Sequence, residues 1–204
     1  MLQARRSQRL PDLSIRRAEQ IEAAYLAAIE LHTAPEFANF LLDGLFPDVS
    51  VGEALSRIYA RSEGVDSYLW SWIAQIGEDR VGAIGAYPAT LMVAPNEQGE
   101  AAERIAFFEP IRRAMRPDAF HISRLGVLGG FRRAGVAQGL VSAAVSAAGA
   151  HGEKHVTLFV WQDNEPALGL YKKLGFKEID RVEIPSHPRM ERHGTSLLLS
   201  RCLY

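Results

Sequence analysis

The sequence predicts an α/β (α+β) fold in which helices surround one mixed central sheet. Residues 67–76 and 80–88 are apolar strands separated by three turn residues, a spacing that indicates an antiparallel hairpin. Residues 121–161 run strand, helix, strand, which indicates a βαβ unit and therefore a parallel pair of strands. With 204 residues and 48% hydrophobic side chains, the chain is sized for one domain with a full core.

The elements of the first half follow from periodicity and from turn residues. Residues 13–17 alternate as a short strand, and residues 19–31 carry apolar side chains at helical spacing. Residues 32–50 mix proline, glycine and aspartate with apolar residues and predict a loop or a broken helix. A short helix is predicted at 52–61. Prolines interrupt residues 94–120, which predict an insertion with a helix in its middle.

The second half has a more regular pattern. It predicts, in order, strand 121–128, helix 135–150, strand 155–161, helix 164–174, and strands 176–184 and 195–203. The strand before the last helix is continuously apolar, as in a parallel strand buried on both faces. No repeat or linker divides the chain, so residues 1–204 are predicted to form a single domain, with 1–12 as a flexible basic tail.

Composition and charge narrow the class of protein. The net charge of −1 argues against a nucleic acid or an anionic membrane as partner, although Arg5, Arg6 and Arg9 make the N-terminal tail basic. Neither a secretory signal nor an apolar run long enough to span a membrane is visible, so the sequence predicts a cytoplasmic protein. The single cysteine, Cys202, lies in an apolar run and is expected to be a buried thiol.

The turn inside the βαβ unit is the segment with the clearest chemical meaning. Residues 129–135 are Gly-Gly-Phe-Arg-Arg-Ala-Gly and lead directly into a helix, whose first N–H groups and dipole favour anions. Gly135 and Ala137 keep this end free of bulk, while Arg132 and Arg133 add positive charge, which predicts a diphosphate site. The glycine spacing of a P-loop or a dinucleotide fingerprint is absent. From this turn alone, a glycine-rich helix start without a ligand stays open.

Two motifs in order, at the right separation, then resemble one family. The triplet Leu-Gly-Val at 125–127 followed by Arg-Arg-Ala-Gly-Val-Ala at 132–137 resembles motif A of the GNAT N-acetyltransferases. Residues 163–167 and 170–176 resemble motif B of the same family. The close match covers about 121–180. The resemblance implies the GNAT fold, with splayed parallel strands around an acetyl-CoA-binding βαβ unit, and an N-acetyltransferase activity.

The resemblance also implies a role for each matching residue. Pantetheine would lie along the strand triplet, where one backbone N–H would stabilise the oxyanion. The loop amides would hold the pyrophosphate, and Asn164 would bond the cofactor, although Asn164 is also well suited to be a helix N-cap. Tyr171 would protonate the departing thiolate, with a core aromatic as the alternative. The implied cofactor residues are Leu125, Gly126, Val127, Arg132, Arg133, Ala134, Gly135, Val136, Ala137 and Asn164.

An acceptor amine must lose a proton before it attacks, which calls for a base. His121 is the candidate, because it lies six residues before Val127, where some family members place a catalytic Glu or His, and imidazole has a suitable pKa. Strict alternation would put His121, Ser123, Leu125 and Val127 on one side of the strand. The alternative is a strand-end histidine bonded to a neighbouring loop.

The acceptor itself stays open between a small-molecule amine and a peptide amine. The alternative function is a GNAT-fold domain that holds coenzyme A without turnover, as a sensor or scaffold. The presence of Tyr171 and Asn164 favours catalysis. No metal is expected, because the spacing of His151 and His155 does not match a zinc helix. GNAT proteins are often homodimers, but the sequence has no recognisable interface signature.

Overall fold

The computed structural model describes residues 12–92 and 99–203. Its strands are β1 (Leu13–Arg17), β2 (Ser71–Ile76), β3 (Asp79–Pro88), β4 (Ala119–Val127), β5 (His155–Trp161), β6 (Lys177–Ile184) and β7 (Gly194–Cys202). They form one sheet in the order β1-β2-β3-β4-β5-β7-β6. The β4–β5 pair is parallel and the other pairs are antiparallel, which confirms the predicted mixed sheet and its hairpin.

The helices connect and cover these strands. They are α1 (Ala23–Thr33), α2 (Pro35–Leu42), α3 (Val51–Tyr59), α4 (Glu100–Phe107), α5 (Glu109–Ala114), α6 (Val136–Ala150) and α7 (Glu165–Lys173). The stretch predicted as a loop or broken helix contains α2, which begins at Pro35 because the fixed φ of proline suits a first helical turn. The predicted strand 67–76 starts later, since Tyr68–Trp70 form a 3-10 turn.

Some predictions fall on parts of the chain that are not described. Residues 1–11 of the predicted basic tail and residues 93–98, at the start of the predicted insertion, lie outside the described residues. The described remainder of the insertion forms α4 and α5. Of the helices that are described, none has both the length and the apolar character needed to cross a membrane.

Helices pack on both faces of the sheet. On one face, α6 and α7 bury Leu140 and Tyr171 in an apolar cluster that includes side chains of β2 to β5. On the other face, α1 and α3 bury Leu26 and Tyr59 against β2 and β3. Helices α2, α4 and α5 cover the β5–β6 end around Trp161. The sheet therefore separates two helix layers, referred to below as the α6 side and the α1 side.

A bulge in β4 breaks its alternation. Gly85 pairs with Arg124, whereas the next residue of β3, Ala86, pairs with Ile122, so Ser123 is an extra residue in β4. An extra residue moves all later side chains to the opposite face of the sheet. The bulge therefore changes the chemistry that each face of β4 presents.

This bulge corrects the predicted orientation of His121. Leu125 and Val127 pack in the α6-side cluster together with Ile122. His121, the neighbour of Ile122 in a regular stretch of strand, points to the α1 side. The prediction that His121 shares a side with Leu125 and Val127 was wrong, because it assumed unbroken alternation.

Strands β4 and β5 diverge beyond the bulge. Their ladder runs from Ala119–His155 to Ile122–Leu158, and within the described chain residues 123–127 have no partner on β5. The divergence opens at the carboxyl ends of two parallel strands, which is where open α/β sheets bind ligands. Residues 125–127 therefore present an unpaired backbone edge to the gap.

Cys202 is exposed, which corrects the expectation of a buried thiol. It is the last residue of β7 and pairs with His155, the first residue of β5. The apolar composition of the C-terminal run reflects the middle of β7, which crosses the core, and not its end.

Gly126 is predicted to be essential for packing α1 against β4. A Cβ atom at Gly126 would lie 2.4 Å from Ile29 Cγ2 and 2.8 Å from Thr33 Cγ2. Gly126→Ala should therefore lower the free energy of unfolding by about 1–3 kcal/mol through overpacking. Gly129→Ala is the matched control, because no atom lies within 4 Å of its added Cβ, and urea denaturation of both variants checks the difference. Equal losses in the two variants would contradict this account.

Candidate active site

The loop between β4 and α6 presents a row of unbonded backbone amides. Gly129–Phe131 form a 3-10 turn, and α6 begins directly after Gly135. Among the described residues, no backbone N–H from 133 to 138 makes a well-formed hydrogen bond to another backbone group. The first amide of this region that does belongs to Gly139, which donates to the Gly135 carbonyl at 3.0 Å. Such a run of free donors at a helix N-terminus is suited to a phosphate group.

The backbone of this loop also has two residues in a conformation that is uncommon outside glycine. Arg133 and Gly135 both have left-handed φ angles, +64° and +88°. Left-handed residues next to right-handed ones form an anion-binding concavity. The Arg132 Nε donates to the Val127 carbonyl at 3.3 Å and ties the loop to the end of β4, while the side chains of both arginines stay exposed. The residues present therefore fit a pyrophosphate.

Asn164 caps the N-terminus of α7. Its Oδ1 accepts the N–H of Ala167 at 3.3 Å, so the N-cap role considered from the sequence is confirmed. The side-chain amide still has its NH₂ group to donate to a ligand. The residue lies just beyond the carboxyl end of β5, on the far side of the gap from the amide loop.

Tyr171 lies on the buried face of α7. Its ring packs edge-on against Phe176, with 5.6 Å between centroids, in the same cluster as Leu125, Val127 and Val136. Burial raises the pKa of Tyr171 to about 12, so the phenol keeps its proton throughout the physiological range. The structure thus places Tyr171, the strand triplet and the start of α6 in one apolar cluster on the α6 side.

His121 lies on the opposite face, in a closed pocket. Its Nδ1 is 3.2 Å from the Thr157 hydroxyl, and its ring lies between those of Tyr87 and Phe159, with centroids 5.9 Å and 5.6 Å away. Burial lowers the pKa of His121 to about 4, so the imidazole is neutral at physiological pH. Its partner belongs to a neighbouring strand and not to a loop. Its role as a base stays a prediction, and with this pKa it would place the acidic limb of a pH–rate profile near pH 4.

A buried guanidinium on the α1 side was missed by the sequence analysis. The side chain of Arg124 is 7% exposed and stacks on the ring of Tyr59 with 4.2 Å between Cζ and the centroid. Its Nη2 donates to the Ser71 hydroxyl at 2.5 Å, and its Nη1 lies 3.9 Å from Asp66 Oδ1. A Cβ atom at Gly85 would lie 2.5 Å from the guanidinium carbon, so only glycine leaves room for this arrangement.

Glu30 of α1 completes this polar group. The Tyr59 hydroxyl donates a hydrogen bond to Glu30 Oε2. Burial raises the pKa of Glu30 to about 7, against the opposing effect of the Arg124 charge and with reinforcement from Asp66. The position of Glu30 in the sequence could have indicated its burial, because it lies one helical turn after Leu26 on the buried stripe of α1.

The described part of the insertion is docked against α2. Arg104 of α4 is buried, and its Nη1 donates to the carbonyls of Phe40 and Asp43 at 3.1 Å and 2.8 Å. The same guanidinium forms an ion pair with Glu100 at 2.6 Å. The aromatic ring of Phe108, just after α4, packs on Phe37 of α2 at 5.4 Å. The described part of the insertion thus packs as a layer over the β5–β6 end of the sheet.

No metal site accompanies these groups in the part of the chain that the structure describes. Residues 12–92 and 99–203 contain no group of three or more His, Cys, Asp or Glu side chains that could hold a metal ion.

A family comparison agrees with this geometry. The sequence model of the acetyltransferase (GNAT) family matches residues 46–176, well over half of the chain. The chain belongs to the GNAT acetyltransferase family. This membership confirms the resemblance drawn from the two motifs. No curated protein matches the sequence.

Solved structures of acetyltransferases share the fold of this GNAT protein. An N-acetyltransferase from Staphylococcus aureus Mu50 is 17% identical, with a TM-score of 0.67 over 92% of this chain and 100% of that one. The yncA protein of Salmonella typhimurium, solved with acetyl-CoA, is 14% identical, with a TM-score of 0.61 over 95% of each chain. Arabidopsis thaliana Naa50, solved with the bisubstrate analogue CoA-Ac-MVNAL, is 20% identical, with a TM-score of 0.54 over 93% of this chain and 98% of that one.

The amide loop yields a test by charge reversal. Gly135→Glu should abolish acetyl-CoA binding, because its carboxylate would repel the pyrophosphate. Gly135→Ala is the control, since it imposes the same left-handed strain, roughly 1–2 kcal/mol, without a charge, and no atom lies within 4 Å of the added Cβ. Calorimetric titration should detect binding to the alanine variant only. Wild-type affinity in the glutamate variant would refute the placement.

The closed pocket around His121 makes folding stability depend on pH. Its folded pKa of about 4 lies below the unfolded value of about 6.5, so the stabilisation is complete above the unfolded value and is lost as pH falls through the folded one. The free energy of unfolding should fall by about 3 kcal/mol across this window. His121→Gln should remove this slope in denaturant titrations at several pH values. The exposed His193→Gln is the control, and an equal effect of both variants would contradict the assignment.

Proposed function

We propose that this GNAT protein transfers an acetyl group from acetyl-CoA to a primary amine of a small molecule or peptide by direct attack. One observation supports this proposal above the others. The unbonded amides at 133–138 follow directly after the unpaired edge of β4 at 125–127. Acetyl-CoA offers a matching pair of features, a pyrophosphate and an amide-bearing pantetheine arm. Family membership supports acyl transfer as the reaction class.

For the cofactor residues we propose the roles that the resemblance of the sequence implies. The amides of Arg133, Ala134, Gly135, Val136 and Ala137 hold the pyrophosphate, with each N–H to a charged oxygen contributing about 1.5–3 kcal/mol. The Arg132 side chain adds charge at the mouth of the loop. The backbone of the triplet 125–127 pairs with pantetheine, and one of its N–H groups polarises the thioester carbonyl. Asn164 donates its free NH₂ to the cofactor across the gap.

Tyr171 is the proposed general acid. As the amine nitrogen bonds to the carbonyl carbon, the C–S bond breaks and the sulfur takes a proton from the phenol. The sulfur needs this proton, because low dielectric penalises the thiolate that would otherwise form. The raised pKa of Tyr171 ensures that the proton is present at every physiological pH.

Two structural neighbours support the choice of donor and acceptor. The yncA structure contains acetyl-CoA, and the Naa50 structure contains an analogue that joins coenzyme A to a peptide. Both share the fold of this chain, which supports acetyl-CoA as the donor and an amine as the acceptor. The net charge of −1 supports a small or peptide acceptor over a nucleic acid.

Thiol release from acetyl-CoA in the presence of an amine panel tests the proposed function. At least one primary amine should accelerate release and gain the mass of one acetyl group. Binding of acetyl-CoA without any amine-dependent release would favour the alternative of a non-catalytic coenzyme A sensor or scaffold.

The role of Tyr171 is tested by removal of its hydroxyl. Tyr171→Phe should lower kcat by about 100-fold or more, because general acid catalysis contributes that much, while acetyl-CoA affinity stays within error. Tyr68→Phe, in the 3-10 turn before β2, is the matched control. Unchanged kcat in Tyr171→Phe would leave Tyr171 a core aromatic.

A further inference from the structure

We infer that Glu30 of α1 is the group that accepts the proton of the acceptor amine. The inference rests on the proposed function, and it adds a residue from outside both sequence motifs. The inference is based on position, because α1 packs against Gly126, the middle residue of the strand triplet 125–127.

The contact between α1 and β4 is close. Ile29 and Thr33 lie so near Gly126 that an added Cβ would be 2.4 Å and 2.8 Å from their methyl carbons. Residues 29–33 therefore lie directly against the α1-side face of the strand segment that is proposed to hold the thioester. Glu30 belongs to this turn and is only partly buried.

Access for the amine favours the same side. Tyr171 lies in the α6-side cluster, so the leaving sulfur receives its proton from that side. Leu125 and Val127 also pack in this cluster, so the α6 side of the triplet is filled and the α1 side is left for the amine. The bulge residue Ser123 is exposed, and the Asp66 side chain is 55% exposed, so solvent and a ligand reach this region.

The charges on the α1 side suit an ammonium ion. Glu30 and Asp66 contribute two carboxylates, while Arg124 is the guanidinium that faces both. Tyr59 donates its hydroxyl to Glu30, and Tyr87 of β3 feels the charges of Arg124 and Asp66. Arg61 acts on Asp66 as a second positive charge, which leaves Glu30 as the carboxylate available to a protonated amine.

Glu30 also has the accessibility that His121 lacks. His121 is 5% exposed, and Thr157, Tyr87 and Phe159 surround its ring. The pKa of Glu30, raised to about 7 by burial, leaves a carboxylate basic enough to take a proton near neutral pH.

The proton balance of the step is simple. The ammonium gives one proton to the Glu30 carboxylate and becomes a neutral amine. The amine forms the C–N bond, the C–S bond breaks, and Tyr171 supplies the thiol proton and regains it from solvent. The excess proton on nitrogen and the proton held by Glu30 both leave to solvent, so the products are the amide, the free thiol and one net proton.

The test is the pH profile of kcat/KM with an amine identified by the panel. Wild type should show an acidic limb with an apparent pKa of about 7. Glu30→Gln should remove this limb and lower kcat/KM by about 100-fold at the pH values above it. His121→Gln should keep it. The ionisation of the amine is common to all variants and cancels in the comparison.

Two further variants keep the test informative if Glu30→Gln is unstable. Tyr59→Phe removes a hydrogen bond to the carboxylate and should move the limb to higher pH. Asp66→Asn removes a nearby negative charge and should move the limb to lower pH. A purely structural role for Glu30 would produce neither shift.

The outcomes separate the two proposals. Acetyl transfer with an unchanged profile in Glu30→Gln overturns the role of Glu30 and leaves the proposed function intact. A limb that disappears only in His121→Gln assigns the base to His121. Absence of transfer to every amine in wild type overturns the function and this inference together. Calorimetric affinity for acetyl-CoA, measured on each variant, confirms that the donor site is intact.

Discussion

The parallel ladder between β4 and β5 stops at the pair Ile122–Leu158, and the rest of the site depends on that stop. Where pairing ends, β4 carries Ser123 as an extra residue and bends away from its neighbour. The edge released in this way lies at the same end of the sheet as the unbonded amides before α6. If pairing had continued to Val127, the hydrogen bonds of the sheet would have consumed the donors that a ligand needs.

The sheet also divides the proposed chemistry between its two sides. The phenol of Tyr171 and the amide loop belong to the α6 side, whereas Glu30 and Arg124 belong to the α1 side. The acyl group would lie in the gap between them, in the plane of the sheet. Gly126 allows α1 to lie close to β4, because it has no side chain between the helix and the strand.

Local signals explain how much could be predicted from the sequence. Apolar stripes and turn residues were enough for most elements, and the loop at 132–137 was recognisable because its chemistry is local. The side on which His121 points was not, since the bulge at Ser123 arises from pairing with β3 and has no mark of its own in the sequence. In the sequence, Glu30 resembles any charged residue of a helix. Only the folded chain brings Tyr59 and Arg124 next to its carboxylate.

The hydrogen bonds from Arg104 to the end of α2 limit how this part of the chain could be replaced. Its guanidinium satisfies the Phe40 and Asp43 carbonyls at the end of α2, where the helix dipole is negative. Replacing the insertion alone would strand those carbonyls without a donor. A segment exchange that keeps these hydrogen bonds would therefore have to move α2 and α4 as one block, while the β4–α6 loop could stay unchanged.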